Sequence, residues 1–247
     1  PNFKTGDNGV LFSEDGTTLI AYPGGSAVQD EYKVPSTVTA IADGAFVGCP
    51  IKKLTIGHNV TTELPGWSFN AGVLEELDVN CPFGQSTFAQ IMTLKKVTLG
   101  DSITKIPEQA FFNCTGLQTV SIPSSLTKIG SQAFFRCSSL QNVTLPASLT
   151  EIGYQAFRDC DALTSITFPD SLEKVGDQAF LITKEEEHIG SLTTVTFGAK
   201  IPSFLTSDGK ESSNPQLFTG QDKLATVDMS KCENTTISAG LFNGLTY

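Results

Sequence analysis

The residues SSLTKIGSQAFFRCSSLQNVTLP, 124–146, are followed without a break by ASLTEIGYQAFRDCDALTSITFP, 147–169. The second stretch repeats the first at nearly every apolar position. Phenylalanine recurs with a period of 23 residues, interrupted once by a spacing of 19, at positions 46, 69, 88, 111, 134, 157 and 180. A fixed period of this length indicates a solenoid, in which each turn of chain buries its apolar face against its neighbours.

Each unit follows the pattern LTxIGxQAFxxCxxLxxVTLP, and its two halves have different hydrophobic periods. The second half alternates apolar and polar residues and is rich in β-branched types, as in LQNVTLP at 140–146, which predicts a short strand ended by proline. Between Gly130 and Leu140 the apolar residues recur every three or four positions, which predicts one or two helical turns.

One strand and one short helical segment in about 23 residues form the unit of a leucine-rich-repeat solenoid, an α/β repeat. We therefore expect a parallel sheet of about eight short strands on the concave side, with short helical or 3₁₀ turns opposite and the phenylalanine column in the core. The predicted strands are KLTI 53–56, ELDV 76–79, KVTL 96–99, TVSI 119–122, NVTL 142–145, SITF 165–168, TVTF 194–197 and TVDM 226–229.

The start of the chain departs from the repeat. VLFS and TLIAY flank SEDGT, an Asp-Gly turn between two alternating runs, which predicts a β-hairpin. An open solenoid end is an unpaired sheet edge that needs a cover. We expect residues 1–33 to form an N-terminal β-hairpin cap and residues 34–247 the solenoid, whose C-terminal coils are irregular and carry insertions at 181–191 and 205–216.

The repeated phrase resembles the BspA-like leucine-rich repeats, also described as the Treponema pallidum type, over residues 34–247. The opening DNGVLFSEDGTTLIAYPGG, 7–25, is similar to the segment that precedes such repeats in bacterial surface proteins. The resemblance implies a curved solenoid that is secreted or anchored at the surface of a gut or oral bacterium such as Bacteroides, with the anchor outside this stretch. It implies a role in adhesion or protein binding, and no catalytic residue.

Charge and hydropathy exclude two classes of partner. The chain has a net charge of −10 and a pI near 4.6, so its mean field repels the phosphates of nucleic acid and of anionic lipid. No apolar run approaches the roughly 18 residues that a membrane-spanning helix needs. We expect neither nucleic-acid binding nor direct membrane insertion.

The sequence offers little for catalysis or metal binding. It has two histidines and lacks GxSxG, HExxH, Walker and GxGxxG motifs. The run KEEEH, 184–188, is interpreted as a solvated loop within an insertion rather than as a metal cluster. We expect a protein that is not an enzyme and has no catalytic residues, cofactor or metal site.

The cysteines follow the repeat. Cys49, Cys114, Cys137 and Cys160 each lie three residues after a repeat phenylalanine, so neighbouring ones come within disulfide distance across the coils. Parallel side-chain directions disfavour such a bond. We favour a column of buried free thiols that act as small apolar filler.

Charged doublets occupy the same two strand positions in three successive coils: Lys52-Lys53, Glu75-Glu76 and Lys95-Lys96. Opposite charges are therefore expected to meet across the sheet and to set its register. The alternative is that they form part of a binding face.

Further along the sheet the outward positions are small, uncharged and hydrogen-bonding. In the three central coils they are Gln118, Thr119, Ser121, Gln141, Asn142, Thr144, Thr164, Ser165 and Thr167. We take these residues as a hypothetical partner-binding surface. The alternative is that they reflect only the preference of strands for threonine.

Aromatic residues outside the phenylalanine column are the other binding candidates. Trp67 stands where other coils have glutamine, Phe112 and Phe135 each follow a core phenylalanine, and Tyr154 lies nearby. They either contact a partner or pack half-buried.

Three functional hypotheses follow. The first is a non-enzymatic cell-surface or secreted interaction module that binds an extracellular protein, in adhesion, through the concave sheet and adjacent loops. The second is a carbohydrate-binding accessory domain, in which Trp67 and Tyr154 stack on a glycan and the glutamine and asparagine side chains of the strand face bind its polar groups. The third is a structural spacer of a larger surface protein.

Overall fold

The computed structural model describes residues 3–25, 29–66, 69, 72–183, 190–213, 215–233 and 241–242. Its strands are short, and beyond the N-terminal hairpin they pair in parallel with strands one coil away. The strands are β1 Phe3–Thr5, β2 Leu11–Ser13, β3 Thr18–Ala21, β4 Gln29–Lys33, β5 Ala40–Ile41, β6 Ile51–Ile56, β7 Glu76–Val79, β8 Lys96–Leu99, β9 Lys105–Ile106, β10 Thr119–Ser121, β11 Lys128–Ile129, β12 Glu151–Ile152, β13 Ser165–Thr167, β14 Lys174–Gly176, β15 Thr194–Thr196, β16 Ser203–Leu205 and β17 Thr226–Asp228.

The longer strands form a parallel sheet that runs along the solenoid, which we call the strand ladder. Its first part has the order β10-β8-β7-β6-β4, and β13, β15 and β17 form its second part. Side chains alternate across it, so that Leu54 lies opposite Leu77 in the core while Lys53 lies opposite Glu76 on the outside. The chain is thus the parallel-sheet solenoid that the repeat predicts.

The segment NVTL, 142–145, differs from the other predicted strands. It touches β10 through one isolated bridge, Thr119 with Asn142, and the backbone of Val143, Thr144 and Leu145 makes no hydrogen bond to another described backbone group. We call residues 143–145 the seam, because they separate the two parts of the strand ladder.

A second ladder, the back ladder, comes from the LTxIG part of the unit. The strands β9, β11, β12, β14 and β16 pair in parallel and run without interruption past the seam. The coils approach closely here: a Cβ atom on Gly130 would lie 2.6 Å from the backbone nitrogen of Glu108. Glycine is therefore required in the pattern. Two-residue strands show no hydrophobic period, so sequence reasoning missed this ladder.

The helical turns predicted between Gly130 and Leu140 are wrong. The chain there forms successive turns, with left-handed backbone at Gln132 (φ 55°) and Arg136 (φ 56°). Alternate amides bond to the next coil, as in the 2.8 Å bond from the Phe134 N–H to the Ala156 carbonyl, and the amides between them bond three residues back, as in the 3.2 Å bond from the Phe135 N–H to the Gln132 carbonyl. The three-to-four spacing therefore arises from repeated turns. Among the described residues, helix is confined to a 3₁₀ turn at Asp7–Gly9.

The repeat phenylalanines form one continuous stack in the core. Phe134 is fully buried, and its ring lies 5.4 Å from that of Phe111 and 5.2 Å from that of Phe157, nearly parallel to both. The stack extends to Tyr22, whose ring lies 6.2 Å from Phe46. Tyr22 precedes Phe46 by 24 residues, so the spacing could have revealed a degenerate first coil.

The N-terminal residues form an antiparallel unit, which belongs to a four-stranded sheet of its own with the order β1-β2-β3-β5. β1 pairs with β2 and β2 with β3, and β3 pairs in parallel with β5. β4, which lies within the first 33 residues, pairs in parallel with β6 in the strand ladder.

The second insertion contains a small turn. Leu205 and Glu211 form an antiparallel bridge, and the Thr206 N–H donates to the Lys210 carbonyl at 2.8 Å. In the first insertion, residues 184–189 lie outside the described part of the chain.

Candidate functional site

The nine uncharged residues of the central coils all lie on the solvent side of the strand ladder. Each of Gln118, Thr119, Ser121, Gln141, Asn142, Thr144, Thr164, Ser165 and Thr167 is exposed. We call these nine residues the polar strand face. They extend over three successive coils, since Thr119 bridges Asn142 and the Thr164 N–H donates to the Gln141 carbonyl at 3.3 Å. The pattern of alternation placed these side chains correctly on the solvent side.

The polar strand face is not flat, because the sheet opens at the seam. A groove of about 360 Å³ lies on one side of Thr144, against Thr119 and Ser121, and one of about 280 Å³ lies on the other, against Ser165 and Thr167. Val143 and Leu145 themselves stay buried, so the core is closed beneath the two grooves.

Phe112 and Phe135 form a stacked pair rather than a freely exposed patch. Their ring centroids are 5.0 Å apart with an interplanar angle of 5°, and both residues are half-buried. The Arg158 guanidinium lies 5.6 Å from the Phe135 centroid, and that of Arg136 lies 5.5 Å away, both within the range of a cation–π contact. The stack presents an apolar edge bordered by two cations.

Tyr154 is half-buried, and its hydroxyl belongs to a hydrogen-bond network. It accepts a bond from the Gln155 side-chain amide at 3.1 Å and donates to Gln178 Oε1 at 3.4 Å. These contacts fix the ring. Trp67, the remaining aromatic candidate, lies outside the described residues.

The Gln155–Gln178 contact is part of a ladder of side-chain amides that sequence reasoning missed. Gln109 donates to Gln132 at 2.7 Å, Gln132 to Gln155 at 2.8 Å, and Gln155 to Gln178 at 2.7 Å. We call these four residues the amide ladder. The glutamine before each AF pair was the available signal, and its period of 23 residues predicts stacking of this kind.

The charged doublets meet across the strand ladder as predicted, with Lys53 opposite Glu76 and Glu76 opposite Lys96. The Lys95 ammonium lies 2.7 Å from the Glu75 carboxylate and holds the pKa of Glu75 below its usual value. The alternation begins at Asp30-Glu31, one coil before Lys52-Lys53. These exposed pairs set register and contribute little to stability.

Asp159 is a buried carboxylate that sequence reasoning also missed. It accepts bonds from the Thr183 N–H at 2.7 Å and the Thr183 hydroxyl at 3.2 Å, and the guanidiniums of Arg136 and Arg158 lie 3.8 and 3.7 Å from it. Because these partners satisfy it, Asp159 anchors the chain after Phe180 rather than offering a reactive acid.

The cysteine column is buried. Cys114, Cys137 and Cys160 are free thiols, and each Sγ donates to a backbone carbonyl, at 3.1, 3.3 and 3.2 Å. Burial raises the pKa of Cys114 to about 12 and that of Cys137 well above its ordinary value. The thiolate is the reactive form, so these thiols are chemically quiet in the fold.

Within the described part of the chain, no three His, Cys, Asp or Glu side chains come together in a way that could hold a metal ion. Residues 184–188 lie outside that part. No helix of the described residues is long and apolar enough to cross a membrane.

Comparison with known proteins places this geometry in a family. A family model described as "BspA type Leucine rich repeat region (6 copies)" matches residues 27–83 and 82–204. No curated protein matches the chain.

Solved structures share the fold. A leucine-rich repeat protein from Eubacterium ventriosum is 27% identical with a TM-score of 0.66, over 76% of this chain and 52% of that one. The chain therefore spans about half the length of that protein. The leucine-rich repeat protein of T. pallidum is 20% identical with a TM-score of 0.51, over 94% of this chain and 80% of that one.

Proposed function

The chain belongs to the family of BspA-type leucine-rich-repeat proteins, and we propose that it is a non-enzymatic interaction module that binds a protein through the polar strand face. One observation carries the proposal: nine exposed, uncharged, hydrogen-bonding side chains lie together over three coils, with a groove on each side of Thr144. A partner can thus gain both hydrogen bonds and a concave fit.

The position of this surface along the sheet supports the choice. The coils from Asp30 to Lys96 carry alternating charges that pair with one another, so their hydrogen-bonding capacity is largely used internally. At Gln118 the charges stop and the exposed groups face solvent. Uncharged side chains cost less to desolvate than ion pairs, which suits an interface centre.

We also propose where the protein is located and how its chain is divided. Following the family resemblance, we place the chain outside the cell, secreted or at the bacterial surface, where adhesion to an extracellular protein would be its role. We also propose that residues 1–33 act as a cap and residues 34–247 as the binding solenoid. The hairpin of β1 and β2, which covers β3, supports the cap.

The test is binding of the purified chain to extracellular matrix proteins, mucins and glycans, measured with and without three substitutions, Gln118→Lys, Gln141→Lys and Ser165→Lys. A matched variant carries the same added charge at exposed positions away from the face: Thr104→Lys, Ser124→Lys and Ala147→Lys. We expect saturable binding to one protein, lost in the first variant and kept in the second, with both melting cooperatively. Binding that survives the first variant would contradict the proposal.

Carbohydrate binding is the second candidate, favoured by the fixed Tyr154 ring. It predicts saturable glycan binding that is lost in Tyr154→Ala or Trp67→Ala and that survives substitution of the strand threonines, such as Thr119→Ala with Thr167→Ala. A chain that binds nothing in the panel would favour the third hypothesis, a structural spacer.

A further inference from the structure

The strand ladder ends at its N-terminal side in a strand with one neighbour. β4 is the last strand in the order β10-β8-β7-β6-β4, and it pairs with β6 alone among the described strands. The strands β1 and β2 belong to a separate four-stranded sheet, with β3 and β5. An edge strand presents a row of free N–H and C=O groups, which is the template for adding another strand.

A cleft borders this edge. It has a volume of about 400 Å³, with Tyr32 and Lys33 of β4 on one side and Lys4, Asp7 and Phe12 of the hairpin unit on the other. The Tyr32 ring is half-buried against Tyr22 and Phe46, which makes that wall rigid. The C-terminal end of this edge, at Tyr32 and Lys33, thus lies beside a concave site with both apolar and charged walls.

The charges on the ladder specify what such a chain should carry. Doublets alternate in sign from coil to coil: Asp30-Glu31, Lys52-Lys53, Glu75-Glu76, Lys95-Lys96. The contacts follow this order, with Lys52 3.0 Å from Asp30, Lys53 3.8 Å from Glu31 and Lys95 2.7 Å from Glu75. Among the described strands, none lies on the open side of the Asp30-Glu31 doublet, so the next position in the alternation calls for a basic doublet.

We propose that β4 accepts an extended segment of a partner protein that carries two consecutive basic residues and pairs with the edge so that they lie opposite Asp30 and Glu31. The backbone bonds provide affinity and the doublet provides selectivity. This site is at the end of the solenoid and is independent of the polar strand face.

The same charges argue against a second copy of this chain as the occupant. If two β4 strands paired antiparallel about their centres, Glu31 of one copy would face Glu31 of the other. Like charges directly opposite destabilise a sheet pair. The acidic doublet therefore disfavours self-association while favouring a basic strand.

The test uses two peptides taken from the chain itself. The peptide 51–57, IKKLTIG, has the residues that β4 pairs with on its other side, and the peptide 74–80, LEELDVN, has acidic residues at the doublet positions. Binding is measured by fluorescence anisotropy of labelled peptides. We expect the basic peptide to bind at least about tenfold more tightly than the acidic one, and the preference to shrink as salt rises from about 0.05 to 0.5 M.

Variants locate the site. The double variant Asp30→Asn with Glu31→Gln should lose the preference for the basic peptide, whereas Glu75→Gln with Glu76→Gln, which removes the same charge from an inner strand, should keep it. Hydrogen exchange of the β4 amides should slow when the basic peptide binds.

Equal binding of both peptides, no binding of either, or a preference that survives the Asp30/Glu31 variant would each overturn the proposal. The Lys variant of the polar strand face should bind the basic peptide normally, so this test fails or succeeds separately from that of the proposed function.

Discussion

At the scale of single residues, the phenylalanine stack concentrates stability in one side chain per coil. Phe134 is fully buried between two parallel rings, and its removal leaves a cavity that rigid neighbouring coils cannot close. We expect Phe134→Ala to lower the free energy of unfolding by about 3–5 kcal/mol in urea titration. Phe134→Leu keeps most of the side-chain volume, so it should lower the free energy of unfolding by clearly less. A Phe134→Ala variant within about 1 kcal/mol of the wild type would contradict an interior stack.

The buried thiols predict a pH dependence. An unfolded cysteine ionises near pH 9.0, whereas burial raises the pKa of Cys114 to about 12 and that of Cys137 well above its ordinary value. Between these values the unfolded chain binds fewer protons than the folded one, so stability should fall as the pH rises above about 9. The loss of stability is measured as the difference between the urea unfolding midpoints at about pH 8 and about pH 10.5.

The control for the pH experiment is the Cys137→Ala variant, which should show a shallower decline because it has one such thiol fewer. In the native protein at pH 8, thiol reagents should leave Cys114, Cys137 and Cys160 unmodified until the chain unfolds. Rapid labelling of Cys137 would show that the column is not closed to solvent.

At the scale of elements, the turn segments depend on the amide ladder. Gln155 is buried, has left-handed backbone with φ 54°, and bonds to Gln132 and Gln178 through its side chain. We expect Gln155→Leu to lower the free energy of unfolding by about 1–3 kcal/mol, since Gln132 and Gln178, both half-buried, each lose a hydrogen-bond partner. The same change at exposed Gln118 should stay within about 0.5 kcal/mol. Thermal and urea unfolding measure the stability of the Gln155→Leu and Gln118→Leu variants. Equal losses of stability would mean that the hydrogen bonds of the amide ladder do not stabilise the fold.

Strands, turns and the seam differ in how far the sequence predicts them. The strands around Leu77 and Val97 alternate strongly, and their register follows from the charged doublets, so both could be predicted. The turn around Gln132 could not, since three-to-four spacing has the same appearance in a helix and in a series of turns. Only the bonds to the next coil distinguish them. The seam was unpredictable for a similar reason, because NVTL at 142–145 has the composition of its neighbours.

At the scale of the whole molecule, each coil contacts its two neighbours, so energetic coupling should be local. Phe111 and Phe134 stack at 5.4 Å, whereas Phe46 lies several coils away. In a double-mutant cycle, Phe111→Leu and Phe134→Leu should couple by more than about 0.5 kcal/mol. For Phe46→Leu and Phe134→Leu, the change in the free energy of unfolding of the double variant should equal the sum of the two single changes within about 0.3–0.5 kcal/mol. Coupling of equal size in both pairs would indicate a core that responds as one unit.

The sequence by itself determined the period, the phenylalanines of the core stack, most positions of the strand ladder and the outward direction of the polar strand face. These features depend on spacing and alternation within one coil, which are local properties that can be counted. Tertiary structure alone decided that the turns bond to neighbouring coils, that the sheet opens at the seam while the back ladder stays closed, and that β4 is left as an edge beside a cleft. Those features depend on how closely one coil approaches the next, and that distance is set by packing between units rather than by the pattern within any of them.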